Sequence, residues 1–382
     1  MFAVFADDFT GAAEIAGLAL HYQLSVEICT SVKQNTLADL LIVSADTRSM
    51  DEATAVVETE RIITQLLKMN PSFIYKKIDS VLRGHILPEI GAQQKLLHAH
   101  KVLIIPANPS LGRTISNGNY FYKGKLIHLS SFSQDPEFAI DNSDLKQMIR
   151  SKAELSVLKA GTALPENDIS IGEVENQTDL HHWASLVDAN TLPVGAGDFF
   201  SALLSVRKIP IATETTELIA FEKPALFVCG TTFGNSVASI KKLEAQGAPV
   251  SYMSASVIHS TLDEDAGLKD WAMGTTALLK DHGKAILAID AAVVDAAVTA
   301  LSLRQKMAAV VAFIFDKIGI KELFIEGGST AAAVIRLLAF DCFYPVAELK
   351  RGVVRMKVAN RPGLYITVKP GSYDWPTGVW EF

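Results

Sequence analysis

Short apolar runs alternate with longer helical patterns from the start of the chain. Phe2–Ala6 reads as a buried strand, followed by a polar turn and a helix over 11–20. Leu40–Ser44 predicts a second strand. Across 51–69, Val56, Val57, Ile63, Leu66 and Leu67 fall roughly on one helical face. Strands over 73–76 and 101–105 bracket a helix over 86–97. This rhythm predicts crossover units and a largely parallel sheet, since parallel neighbours need a long return connection.

Further on, 120–122 and 126–129 flank Lys123-Gly124-Lys125 and predict a hairpin. The polar stretch 132–142 reads as a loop, 156–159 and 169–174 as strands, and 180–187 as a helix. A boundary fits between Ser205 and Pro224, where Thr213-Glu214-Thr215-Thr216-Glu217 separates two strongly patterned regions. A new alternation follows: strand 225–229, helix 235–245, strands 250–253 and 285–289, a helical zone over 293–318, strand 322–326 and helix 329–338. An antiparallel pair, 353–358 with 364–368, closes the pattern. The expectation is an α/β protein of two domains, 1–215 and 216–382, each with a mostly parallel sheet flanked by helices.

The length of 382 residues fits that count at roughly 150 residues per domain. With 49% hydrophobic and 20% charged residues, there is apolar material for a core in each domain. A formal net charge of −7 argues against nucleic-acid and membrane-surface partners, which need a basic field. It does not argue against small anions, for which a local cluster of Lys and Arg suffices. The 3 cysteines are widely spaced and form no metal-ligand pattern; no metal-binding residue is predicted. The opening residues lack a basic region followed by an apolar run, and no apolar stretch reaches the roughly 18 residues of a membrane span. The expected location is the cytoplasm; a homo-oligomer is left open.

In doubly wound sheets, ligands bind beyond the carboxyl ends of the strands. The first predicted strand runs into Asp7-Asp8-Phe9-Thr10-Gly11. Two adjacent carboxylates leaving a buried strand are costly unless partnered. Helix capping accounts for one of them. The second strand ends in Asp46-Thr47-Arg48, and the third in Lys76-Lys77-Ile78-Asp79-Ser80-Val81-Leu82-Arg83-Gly84. Arg can clamp a carboxylate, Lys supplies a point charge, and Asp can hold a sugar hydroxyl or accept its proton. The first loop has a structural Asp cap as its alternative reading, and the last run alone reads equally as a solvated charged loop. Three on one sheet edge favour a site. Arg113, in a fourth polar loop, reads equally as a surface residue or as facing the same cleft.

In the second region, Glu326-Gly327-Gly328-Ser329-Thr330 follows a strand and opens a helix. Glycines expose backbone N–H groups, and the helix start is electropositive, which suits an anion. Cys229-Gly230-Thr231-Thr232 and Lys369-Pro370-Gly371-Ser372 also follow strands. Neither a P-loop nor a dinucleotide fingerprint is present. Mid-chain, Pro193-Val194-Gly195-Ala196-Gly197-Asp198 resembles the Gly-Ala-Gly-Asp turn of ribokinase-like sugar kinases. Its place ahead of the second region favours a structural strand-to-helix turn.

The Asp-Asp-Phe-Thr-Gly-Ala opening, the Lys-Lys-Ile-Asp-Ser-x-Leu-Arg-Gly run, the late Gly-Gly-Ser-Thr and the Lys-Pro-Gly-Ser segment resemble, in order, the four-carbon acid sugar kinase family. Val81 stands where that family usually has Thr, and Ser372-Tyr373-Asp374 where it more often has Ser-Phe-Gly. The resemblance implies an N-terminal sugar-acid-binding domain, a C-terminal nucleotide-binding domain and an active site in the cleft between them. It implies ATP-dependent phosphorylation of threonate, erythronate or 3-oxo-tetronate, with Mg2+ bridging the phosphates. Asp8 and Asp79 are the expected catalytic carboxylates, with Asp7 an alternative base; Asp7, Arg48, Lys77 and Arg83 are expected to bind the acid. Thr231, Gly327, Gly328, Ser329, Thr330, Lys369 and Gly371 are expected at ATP. Two other readings are a ribokinase-like kinase using Asp198 and a sugar-acid sensor without turnover.

Overall fold

The computed structural model describes residues 1–134, 139–150, 155–166, 168–212, 220–231, 234–261, 265–295 and 297–381. It divides into two compact units, Met1–Ala212 and Thr213–Phe382. The polar stretch 213–217, on which the expected boundary rested, lies outside the described residues, as does Thr232.

The first unit holds strands β1 (Phe2–Ala6), β2 (Val26–Cys29), β3 (Leu40–Ser44), β4 (Phe73–Lys77), β5 (Lys101–Ile105), β6 (Arg113–Ser116), β7 (Asn119–Tyr122), β8 (Lys125–Leu126), β9 (Ser156–Leu158), β10 (Ile169–Gly172) and β11 (Thr191–Gly195). Its helices are α1 (Phe9–Ala19), α2 (Glu52–Leu67), α3 (Ile86–Leu97), α4 (Leu145–Met148), α5 (Gln177–Ser185) and α6 (Gly197–Val206). The main sheet runs in the order β2-β3-β1-β4-β11-β5-β10-β9, every pairing parallel. Its central strands are apolar because both faces are covered. Val4, Phe5, Leu41 and Ile42 are fully buried, each contributing about 1.5–3 kcal/mol by leaving water. Helices α2 and α3 pack together, as do α1 with α6 and α5 with α6.

Strand β11 interrupts a turn-rich segment that carries no strong strand pattern. Pro193 is tolerated in this inner strand because pairing with β4 is confined to Val194 and Gly195. The predicted hairpin is one edge of a separate antiparallel sheet, β6-β7-β8. Its turn uses Lys123 and Gly124, both at positive φ, as a tight hairpin demands. The strand expected over 126–129 ends at Leu126; Ile127–Leu129 winds into a 3-10 turn.

The second unit holds β12 (Ala225–Cys229), β13 (Val250–Met253), β14 (Lys284–Ile289), β15 (Glu322–Glu326), β16 (Cys342–Lys350), β17 (Val353–Val358) and β18 (Tyr365–Lys369). Its helices are α7 (Gly234–Ala245), α8 (Ala255–His259), α9 (Asp265–His282), α10 (Ala300–Phe315) and α11 (Gly328–Leu337). Strand order is β13-β14-β12-β15-β18-β17-β16. The first five strands pair in parallel, and β16, β17 and β18 pair antiparallel. The ring of Phe227 stacks on Phe324 with centroids 4.3 Å apart. Trp375 and Trp380 pack onto this pair edge-on, which fixes the segment after β18 against the sheet. The helical zone expected over 293–318 is shorter, Ala300–Phe315, with Thr299 capping its first turn. Among the described residues, no helix is long and apolar enough to cross a membrane.

Candidate functional site

In the first unit, strands β1, β3 and β4 lie side by side and end together, so their following loops share one edge. After β1, Asp8 caps α1. Its Oδ1 accepts from the Gly11 N–H at 2.8 Å and its Oδ2 from the Thr10 hydroxyl at 2.6 Å. Gly11 is needed there: a Cβ at that position would lie 2.6 Å from Asp8 Oδ1 and 3.0 Å from Lys77 Nζ.

After β3 the chain turns sharply, with Asp46 in the left-handed region at φ 56°. This carries Arg48 over both aspartates. Its Nε and Nη2 each lie 2.9 Å from Asp7 Oδ2, and Nη2 lies 3.2 Å from Asp8 Oδ1. Gly84, at φ 95°, lets the third loop lie close, since a Cβ there would meet Arg48 Cγ at 3.2 Å.

After β4, Lys77 Nζ pairs with Glu14 Oε2 at 3.2 Å and donates to the Ile78 carbonyl at 3.0 Å. Asp79 holds Arg83 through both oxygens, from Nε at 2.5 Å and Nη2 at 3.1 Å, and also accepts the Arg83 N–H at 3.1 Å. The neighbouring Ser80 hydroxyl accepts from Arg113 Nη1 at 2.7 Å, and its carbonyl accepts from the Tyr120 hydroxyl at 2.5 Å. Asp7, Asp8, Arg48, Lys77 and Asp79 therefore form one charged cluster, in which Arg48 acts on all three aspartates and Asp8 is also acted on by Lys77 and Asp79.

The three aspartates differ in character. Burial pushes the Asp7 carboxyl above its ordinary range, Asp8 adds to that, and Arg48 only partly offsets it. Burial also raises Asp8, but Arg48, Lys77 and the Thr10 hydroxyl outweigh it and leave the group below its ordinary range. At Asp79, burial is overcome by Arg83 and Arg48, which hold the carboxyl well below that range. The same aspartates raise the Arg48 guanidinium well above its usual value against the opposing effect of burial.

Sequence reasoning passed over Glu14 and the Lys76–Glu89 pair. Glu14 was detectable as the one charge in an otherwise small and apolar helix, α1. Lys76 is fully buried, pairs with Glu89 on α3 and lies 3.8 Å above the Phe5 ring. Asp198 sits in the first turn of α6, where it accepts from the Ser110 N–H at 2.9 Å and the Ser110 hydroxyl at 2.8 Å. The segment around it is a strand-to-helix turn, as expected.

In the second unit, the loops after β12, β15 and β18 converge. Gly327, at φ 96°, donates its N–H to the Lys369 carbonyl at 2.9 Å. Gly328, Ser329 and Thr330 form the first turn of α11. A Cβ on Gly230 would lie 2.1 Å from Thr330 Oγ1, and one on Gly371 3.5 Å from Thr231 Oγ1. Thus the Gly and Thr positions expected at a nucleotide come together within this unit. Lys369 is different: it is buried, 2.9 Å from Glu326 Oε1, and donates to the Tyr373 carbonyl at 2.6 Å. Glu326 also accepts from Ser236 and from the Trp375 indole at 3.3 Å. Lys369 thereby ties Glu326 to the segment after β18.

A model of the sugar-binding N-terminal domain family matches residues 2–199, just over half of the chain. The chain is 28% identical over 158 residues to the D-threonate kinase of Salmonella typhimurium, covering 40% of this chain and 37% of that protein. It is 31% identical over 157 residues to the 3-oxo-tetronate kinase of Brucella melitensis, covering 39% and 36%. The matched stretch thus spans under two-fifths of either relative's length. The fold is similar to a crystal structure from Salmonella typhimurium LT2 that carries the provisional designation tRNA synthase, with TM-score 0.74, 19% identity, and 98% and 96% of the two chains covered. At that identity the likeness speaks for the fold alone. Through its N-terminal sugar-binding domain, this chain belongs to the four-carbon acid sugar kinase family.

Proposed function

We propose that this protein is an ATP-dependent kinase that phosphorylates a hydroxyl of a small four-carbon acid sugar such as threonate, erythronate or 3-oxo-tetronate. The carrying observation is the charged cluster at one sheet edge of the sugar-binding unit, Asp7, Asp8, Arg48, Lys77, Asp79 and Arg83. Alternating carboxylates and cations suit a ligand that bears both hydroxyls and a carboxylate. Arg83 is the most exposed of the site's cations, with 22% of its side chain open, so it is the first to meet an incoming carboxylate. Asp79 then retains the geometry of that guanidinium. The first unit, 1–215 in the sequence reading, is the acid-binding domain on this account, and the second is the nucleotide-binding domain.

ATP phosphates suit the first turn of α11. There, Gly328, Ser329 and Thr330 offer N–H and hydroxyl donors at a helix start, and Gly327, at φ 96°, shapes the turn that leads into it. Thr231 and Gly371 line the adjoining loops. Magnesium enters with the nucleotide. Glu326, the acid at this turn, is already engaged by Lys369, Ser236 and Trp375, so phosphate oxygens and water would supply the metal's ligands. Phosphoryl transfer is mainly positioning and charge neutralisation, and both units carry groups for that work.

The test is ADP release by the purified chain with ATP, Mg2+ and a panel of four-carbon acids. Release that depends on one of these acids is expected. Release only with neutral pentoses or hexoses, abolished by Asp198→Asn, would move the reading to a ribokinase-like kinase. Saturable binding without release would make the protein a sensor.

A further inference from the structure

We propose that Asp7, rather than Asp8 or Asp79, takes the proton from the attacking hydroxyl. This rests on the kinase reading above and names a role that reading leaves open.

The three carboxylates differ in what their oxygens already hold. Both oxygens of Asp8 are committed: Oδ2 to the Thr10 hydroxyl, Oδ1 to the Gly11 N–H and Arg48. Both oxygens of Asp79 are committed to the Arg83 guanidinium. Asp7 is asymmetric. Its Oδ2 is fixed by Nε and Nη2 of Arg48, each at 2.9 Å. Its Oδ1 is buried and accepts no hydrogen bond among the described residues. A buried carboxylate oxygen without a donor costs free energy. A substrate hydroxyl is the donor that the proposed chemistry would bring to it. Arg48 meanwhile holds the other oxygen, so the carboxylate arrives oriented.

The charges around Asp7 agree with this. It is faced by Asp8 on its own turn, Arg48 from the turn after β3, Lys76 from β4 and Glu89 from α3. Burial leaves its proton affinity above that of an ordinary aspartate. Asp8 and Asp79 are held below the ordinary range and are weaker acceptors. In the step itself, the hydroxyl O–H bond breaks and its proton passes to Asp7 Oδ1. The hydroxyl oxygen bonds to the γ-phosphorus of ATP. The bond from that phosphorus to the bridging oxygen breaks, and its electron pair leaves with ADP. Asp7 returns the proton to solvent after product leaves.

The experiment compares the full-length wild type with Asp7→Asn, Asp7→Glu, Asp8→Asn and Asp79→Asn. Turnover and KM are measured against pH on the acid that the wild type uses. Asp7→Asn is expected to lose about 10²–10⁴-fold in kcat with KM changed only a few-fold, and to lose the acid limb of the kcat profile. Asp7→Glu should keep measurable turnover with that limb displaced, which preserves the test if the Asn variant does not fold. Asp8→Asn and Asp79→Asn should raise KM while the acid limb stays. An Asp7→Asn enzyme with near-wild-type kcat overturns the proposal. So does an acid limb that survives in Asp7→Glu at its wild-type position but vanishes in Asp8→Asn or Asp79→Asn. Wild type that forms no ADP with any four-carbon acid overturns the kinase reading and this proposal together; the variant outcomes above overturn this proposal alone.

Discussion

Lys76 and Lys77 are adjacent in β4, yet each pairs with a buried glutamate from a different helix: Lys76 with Glu89 on α3, Lys77 with Glu14 on α1. Strand alternation sends successive side chains to opposite faces of the sheet. One ammonium is thereby delivered to the charged cluster beside Gly11, and the other is held over the Phe5 ring. Breaking a buried pair from one side leaves an uncompensated charge. Glu89→Ala is therefore expected to cost about 3–5 kcal/mol of unfolding free energy. Lys76→Met combined with Glu89→Leu should recover most of it. Chemical denaturation of the three proteins measures this; a double variant as unstable as the single one contradicts it.

Gly11→Ala tests the proposed acid site without removing a charge. The added methyl would press on both Asp8 Oδ1 and Lys77 Nζ, so the capping bond and the Lys77–Glu14 pair must shift. Small displacements of positioning groups are costly to turnover. The expected result is at least about a tenfold rise in KM for the acid with the KM for ATP unchanged. Equal rises in both would contradict the assignment of this loop to the acid.

Gly230→Ala is the matching test in the second unit. Its methyl collides with the Thr330 hydroxyl at the start of α11 and forces two converging loops apart. KM for ATP should rise, and acid binding measured without nucleotide should be unaltered. A wild-type KM for ATP would remove this turn from the nucleotide site.

The pH dependence of stability follows from the three aspartates. Asp8 and Asp79 have lowered pKa values in the folded protein. Their stabilisation is present above the unfolded value, near 3.9, and is lost as pH falls through the folded one. Asp7 is raised, so its contribution is full below the unfolded value and fades as pH rises through the folded one. Asp79→Asn should accordingly flatten the loss of Tm between about pH 5 and pH 3. Thermal melts that run parallel to wild type over that range would contradict the assignment.

Much of this was legible in the chain. Strands such as Leu40–Ser44 and Lys101–Ile105 are unbroken apolar runs, and their bounds match because a strand buried on both faces leaves no other pattern. Strands β2 and β16 escaped, and β11 was foreseen only as the strand of a strand-to-helix turn, without bounds. Glu27 breaks the run in β2, Pro193 and Gly195 weaken β11, and Pro345 sits within β16 beside a register shift. Helix α9 escaped because Gly267 and Gly274 interrupt it. At the site, the loops after strands could be read from spacing, and the structure brings Asp7, Asp8, Arg48, Lys77 and Asp79 together. Which oxygen bonds to which donor could not be read. That depends on the left-handed turn at Asp46 and on Gly84, which together set Arg48 against both aspartates. Lys369, read as a phosphate contact, is committed to Glu326, a partner fixed by pairing of β15 with β18.

Mass analysis of the acid after incubation with ATP and Mg2+ tests the central claim most directly. The account predicts that a four-carbon sugar acid gains one phosphoryl group while ADP forms in equal amount. A folded protein that binds ATP and the acid, yet leaves every four-carbon acid at its original mass, would contradict it.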